Sequence, residues 1–300
     1  MNRMTNKMIN FNNKWNNIDY CLQAVKADEI RLKRAKIQTL EMCIIAIQQD
    51  GLALSYAKIQ TPELCIAAVQ RNGLFLQYVK YQTPEIYMAA IENNYRALYY
   101  VKHQTPELCM TVVQNNGWAL KCVKIQTLEL CSIAISQDSF SLNYAKIQTP
   151  ELCLAAVKNR GWALQYVVNQ TPELCMAAVQ QNGLALEYAK FRTPEICAAA
   201  INQIGWALGY TKTQTLENCL TAAKNDNTAL NFAKIQTPEI CLAAVQRYGL
   251  ALKYTKFQTP EICAAAIKQD PIAYTYVRLP EDEDERDKFL RELGLLLLAS

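Results

Sequence analysis

The chain has 300 residues, 51% of them hydrophobic and 19% charged, with 31 basic and 27 acidic side chains for a formal charge of +4. So mild a balance demands neither a nucleic acid nor a membrane as partner. No run approaches about 18 apolar residues, so no membrane-spanning helix is predicted, and the opening MNRMTNKMINFNNKW lacks the apolar segment of a secretory signal.

Residues 1–16 are rich in asparagine, carry Met8, Phe11 and Trp15, and read as an N-terminal cap or arm. A degenerate repeat begins at Asn17. From Thr39 to Thr259 the same phrase opens every 22 residues, with no insertion or deletion. A fixed period of this kind decides the architecture before any other feature. Three hundred residues would ordinarily suggest two domains. A repeat array grows by adding units instead, so the spacing predicts one array over residues 17–279.

The repeat Thr171–Arg192, TPELCMAAVQQNGLALEYAKFR, shows what each unit encodes. Thr171 is an N-cap residue. Pro172 suits the first helical position, and Glu173 complements the positive end of the helix dipole. Leu174, Cys175, Ala178 and Val179 recur at helical spacing. Asn182-Gly183 reads as a stop, because glycine accepts the left-handed conformation that ends helices. A second, shorter helix is predicted over Leu184–Lys190. Neither helix is long enough to stand alone, so each must pack on its neighbours. The fold class is therefore all-α, an α-solenoid of about twelve 22-residue helix-turn-helix repeats with N- and C-terminal caps. A long lipid-binding amphipathic helix is disfavoured by the mid-repeat glycines, and a leucine-rich repeat by the absence of its phrase.

Several repeats depart from the pattern. Proline gives way to leucine at Leu40, Leu128 and Leu216, and Trp118, Trp162 and Trp206 open the second helix in alternate repeats. A large ring beside a small neighbour, such as Leu184 between Trp162 and Trp206, is one reason for that alternation. Tyr95-Arg96, Ser139-Phe140 and Asn227-Thr228 replace the usual Gly-Leu, and loss of glycine predicts an altered turn or an exposed position there. Residues 280–300 form the last element: an acidic start at Glu281–Glu285 suited to a helix N-terminus, then Phe289, Leu290, Leu293 and Leu295–Leu298. This reads as a helix capping the last exposed core face; a partner-docking or dimerising helix is the alternative.

Eleven of the twelve cysteines fall at one slot of the repeat. Helix axes lie ~8–10 Å apart, and a disulfide needs Cα atoms within ~7 Å. No C-x-x-C pair offers a zinc site. Small buried thiols kept reduced place the chain in a cytoplasm, its own or a host's. His103 stands alone in a linker. No Ser-His-Asp set, G-x-G-x-x-G, P-loop or H-E-x-x-H is present. The glutamates from Glu41 to Glu261 are explained by the helix dipole, so no enzyme, cofactor or metal is expected.

Two surfaces are candidates for binding. Lys36, Lys58, Lys80, Lys102, Lys124, Lys146, Lys190, Lys212, Lys234 and Lys256 share one slot, and such a ladder could track a nucleic-acid backbone. The glutamate ladder five residues on offsets much of its field. The other surface is the slot between the leucine and tyrosine of the second helix. It varies while staying largely polar and includes Tyr99, Lys121, Gln165, Glu187 and Lys253. Arg71, at the end of a first helix, and Arg96, in an otherwise apolar slot, join it. A protein partner gripped along this surface is the leading expectation, and nucleic acid the alternative.

The phrase Leu174–Lys190, with its AAV-x-x-NG-LAL-x-Y core, resembles the tandem helical repeats of domain of unknown function 4116. The strict 22-residue period, the QTPE opening and the cysteine ladder depart from that family's pattern. The resemblance implies an all-helical interaction scaffold, of bacterial or large-DNA-virus type; a role in subverting or blocking a host or defence protein is compatible with it. It carries over no catalytic residues.

Overall fold

In the computed structural model, residues 14–226 and 228–298 are described; residues 1–13 of the arm predicted at 1–16, Asn227 and the last two residues lie outside them. The chain divides into two compact units, Met1–Ile147 and Gln148–Ser300. Each unit holds six repeats, and each repeat is a ten-residue α-helix followed by a short 3-10 helix. No strand occurs among the described residues. The chain is thus all-α, and within each unit the repeats stack as an α-solenoid.

The α-helices begin as the threonine-proline phrase dictates. Thr61 Oγ1 accepts from the Leu64 N–H at 3.4 Å, and Thr127 Oγ1 from the Leu130 N–H at 3.2 Å. Thr83 alone among these threonines makes no such bond. In every repeat except that of Leu216–Asn225 the α-helix ends at one extended residue that also starts the 3-10 helix. Asn182, at φ −152° and ψ 114°, donates its N–H to the Ala178 carbonyl and accepts from the Leu184 N–H at 3.0 Å. One asparagine therefore closes one helix and opens the next.

The second element differs from expectation. It is a 3-10 helix over Gly183–Tyr188, not a helix over Leu184–Lys190. A three-residue period puts Gly183, Leu186 and Ala189 on one face, and all three are buried. The expected left-handed glycine is also absent: no described residue, glycine included, has positive φ. Glycine is needed there for close approach. A Cβ on Gly161 would lie 2.5 Å from the Ala178 carbonyl oxygen, and one on Gly183 would lie 2.6 Å from that of Ala200. Each 3-10 helix is pressed against the α-helix of the following repeat. Because φ is negative at this slot, the 3-10 helices at Tyr95 and Ser139 keep their six residues and their Asn94 and Asp138 caps, contrary to the expected altered turn, whereas the one after Thr228 is altered, shortened to Ala229–Phe232.

Within a unit each α-helix after the first touches its neighbours and two 3-10 helices. Pro84–Asn93, for example, packs on Pro62–Arg71, on Gly73–Tyr78 and on Tyr95–Tyr100. The cysteine, alanine and valine or isoleucine slots of the α-helix meet the alanine and leucine of the 3-10 helix in the core. The tryptophans stack forward rather than beside a small neighbour. Trp118 lies 5.7 Å from Tyr144, Trp162 5.7 Å from Tyr188, and Trp206 6.1 Å from Phe232, each on the next repeat. At the C-terminus Glu283–Leu298 buries Phe289 and Leu293 and packs on Pro260–Gln269.

A Gly161→Ala substitution should destabilise the second unit by about 1–3 kcal/mol, the usual cost of overpacking, and lower the urea midpoint. Gly294→Ala, where an added Cβ meets nothing within 4 Å, should instead hold or raise the midpoint, since alanine is the better helix former.

Candidate functional site

The glutamine before each threonine, which the sequence left as linker, is the most connected side chain of the repeat. Gln60 Nε2 donates to the Leu54 carbonyl at 3.1 Å and the Tyr78 carbonyl at 3.0 Å, and its Oε1 accepts from the Lys80 N–H at 2.9 Å. Gln104 and Gln126 repeat the set in the first unit. Gln170, Gln236 and Gln258 do so in the second. Each amide joins the ends of two consecutive 3-10 helices. At the first repeat a backbone group takes the acceptor's place: the Trp15 carbonyl accepts from the Lys36 N–H at 3.1 Å and from Cys21 Sγ at 3.5 Å. Arg192 breaks the series. It donates to the Leu186 and Glu187 carbonyls, and a guanidinium has no acceptor to offer the Lys212 N–H.

The lysine ladder runs beside this seam, exposed, and six of its ammonium groups are engaged. Lys58 Nζ donates to the Lys36 carbonyl at 2.7 Å, Lys102 to Lys80 at 2.6 Å, Lys124 to Val101 at 2.7 Å, and Lys190 to Val168 at 3.1 Å. Lys80 and Lys146 make the same kind of bond to the repeat before. Lys212, Lys234 and Lys256 occupy equivalent exposed places in the second unit. A second seam joins the α-helix ends. Arg71 Nη1 donates to the Ile47 and Gln48 carbonyls, and Asn93 Nδ2 to the Gln70 carbonyl at 2.8 Å. Arg71 is therefore tied into packing as well as facing solvent.

The variable slot is on the open side of the 3-10 row. In the first unit Tyr99 is 62% exposed and edge-on to Tyr100. Lys121 Nζ sits 5.3 Å from the Tyr144 ring. Arg96 projects beside them, and its hydrogen bond to Tyr95 raises its already high pKa. In the second unit Gln165 donates to the Trp162 carbonyl, Glu187 stands by Tyr210, and Lys253 Nζ lies 5.7 Å from the Tyr254 ring. Half-buried tyrosines and partly exposed Trp118 and Trp206 flank the slot. These tyrosines form the floor of the surface, half-buried between the core and the varied slot.

Nothing in the titration of these groups prepares a nucleophile. All twelve cysteines are free and buried, and burial pushes their thiols up, Cys263 to about 11. Glu63, Glu151 and Glu173 are held below the ordinary carboxylate range by their own backbone N–H and the capping threonine. No cluster of three metal-ligating side chains occurs among the described residues. A groove of about 490 Å³ lies between the starts of Pro150–Asn159 and Pro172–Gln181, lined by Gln148, Glu151, Cys153 and Glu173; its two carboxylates disfavour an anion there.

An α-solenoid repeat protein is the class these observations define. Within it, residues 149–192 match the family described as "Domain of unknown function (DUF4116)". The match spans two repeats, Thr149 to Arg192. No curated protein and no solved structure matches the chain.

Restoring the missing amide with Arg192→Gln should stabilise the second unit by about 1 kcal/mol, read as a higher urea midpoint. Stability should also fall with alkali. A thiol whose pKa is raised by folding contributes stability that is complete below the ordinary thiol value near 9.0 and is lost as pH climbs toward about 11. The urea midpoint should therefore drop across that window, and drop less in Cys263→Ala.

Proposed function

We propose that this chain is a non-enzymatic scaffold that binds another protein along the open side of its 3-10 row. The observation that carries the reading is the division of labour between slots. The core, glutamine and lysine slots are committed to joining repeats. The slot that holds Tyr99, Lys121, Gln165, Glu187 and Lys253 varies freely and faces solvent over an aromatic floor. Exposed Tyr, Trp and Arg are the side chains enriched at protein interfaces, and Arg96, Tyr99, Trp118 and Trp206 supply them here. Blocking a host or defence protein is a task such a surface suits. The buried free thiols favour a reducing cytoplasm as the place of action, and raised thiol pKa values favour a structural role over a catalytic one.

Nucleic acid remains the rival because the lysine ladder is exposed. The ammonium groups from Lys58 to Lys146 and that of Lys190 already donate to carbonyls, which lowers their value as phosphate contacts. Affinity purification from the native cell, with the full chain as bait, separates the two. A variant combining Tyr99→Ala, Lys121→Glu and Lys253→Glu should recover at least about tenfold less of the protein partner, since each interface anchor is worth more than about 1 kcal/mol. Unchanged recovery would refute the surface. Binding to DNA or RNA that falls steeply between about 50 and about 200 mM salt would install the lysine ladder in its place.

A further inference from the structure

The two ends of the chain depart from the repeat in a related way. In the second unit the second leucine of each 3-10 helix, such as Leu186, Leu208 and Leu252, is fully buried. In the last 3-10 helix, Pro271–Tyr276, that slot holds Tyr274, which is 63% exposed, with Ile272 at 62% beside it. The final helix packs on Pro260–Gln269 and so closes the α-helical row. The end of the 3-10 row is left bare, and Leu295 and Leu298, on the last turns of the final helix, add exposed apolar surface. In the first unit the anomaly lies in the other row. Tyr20 is 38% exposed at the slot where Met42, Leu64 and Ile86 are buried, and Ile18 and Ile30 stand open on the same repeat. Tyrosine at an otherwise sealed position suits a face that alternates between water and an apolar partner.

Charge gives these two faces opposite signs. Residues 14–36 hold six basic side chains (Lys14, Lys26, Arg31, Lys33, Arg34 and Lys36) against three acidic ones. Residues 281–292 hold seven acidic side chains, five of them consecutive at Glu281–Glu285, against three basic ones. Within the chain Arg31 meets Asp28 at 3.2 Å and Arg286 meets Glu283 at 3.7 Å, while Lys33 and Arg34 lie over the Tyr56 and Trp15 rings, contacts that leave their charge unneutralised. Like ends brought together would place like charges in contact, which is costly, whereas unlike ends attract and steer each other.

We propose that the acidic, tyrosine-bearing C-terminal end of one molecule docks on the basic end, Ile18–Arg34, of a second molecule of this chain. The contact is heterologous, so each added molecule exposes a fresh end and assembly does not stop at two. Ile272 and Tyr274 supply the apolar centre and the charged runs supply orientation. This reading is independent of the partner surface on the 3-10 row.

Sedimentation velocity and light scattering on the full chain test it. At about 100 µM protein, within reach of micromolar contacts, and in low salt, the weight-average mass should climb past twice the 34.0 kDa of the monomer. About 0.5 M salt should return it toward the monomer, since the steering is screened. An N-terminal reversal, Arg31→Glu with Lys33→Glu and Arg34→Glu, should abolish association, as should a C-terminal reversal, Glu281→Lys with Glu283→Lys, Asp284→Lys and Glu285→Lys. Mixing the two reversed proteins should restore it, because each now presents the other's complement; an unfolded variant could not do this. Tyr274→Asp should weaken association in the unreversed chain. A monomer at every concentration, a mass that stops at a dimer, or association indifferent to either reversal would overturn the proposal.

Discussion

One side-chain amide satisfies three backbone groups on two neighbouring repeats, and the rest of the architecture depends on it. A 3-10 helix of six residues leaves carbonyls unpaired at its end, and its hydrogen bonds are poorer than those of an α-helix. Gln60, Gln104 and their equivalents take two of those carbonyls and one N–H. Left unmade, each such buried bond costs about 1–3 kcal/mol. Only a primary amide offers two donors and an acceptor on one planar group; a glutamate or a lysine would lose one side of the exchange. The same geometry accounts for the absence of insertions. The amide must reach a carbonyl six residues back, another eighteen residues on and an N–H twenty residues on, so a single added residue would break the seam.

Around that seam the repeat sorts its slots by task. Cysteine and alanine keep the α-helices close, and glycine lets the 3-10 helix press on the next α-helix. Lysine adds a second tie through its ammonium group, and the residues that end each α-helix add a third. What is left over is narrow: one varied slot on the 3-10 row and the aromatic rings beside it. A surface with so many residues committed to holding itself together has few free to specialise, and that scarcity makes Arg96, Tyr99, Lys121 and Lys253 informative.

The caps, the period and the buried cysteine slot were legible because each rests on a local rule. Threonine-proline starts a helix wherever it stands, and a 22-residue recurrence needs no tertiary information. The second helix was misread because six residues with apolar positions at every second or third place fit both the α and the 3-10 period; the Asn182 cap and the approach of Ala200 decide between them. Glycine was credited to backbone conformation when the reason was a carbonyl on the next repeat, which no single unit reveals. The glutamine was overlooked for a similar reason. It sits in a polar linker, and its partners lie in two other repeats. Its recurrence ahead of almost every threonine was the available signal, and Arg192, the one replacement, marked where to look. Tyr99 and Lys121 are exposed, while Arg71 is shared with packing through the Ile47 and Gln48 carbonyls.

The second unit contains its own control for the central claim. The N–H groups of Lys190 and Lys256 are each held by a glutamine Oε1 at 2.8 Å, whereas the Lys212 N–H follows Arg192, which cannot accept. Amide hydrogen exchange on the native full-length chain, resolved at these three lysines, should find Lys190 and Lys256 protected and Lys212 exchanging much faster. Three equal rates would mean that the glutamine amides do not hold the repeats together.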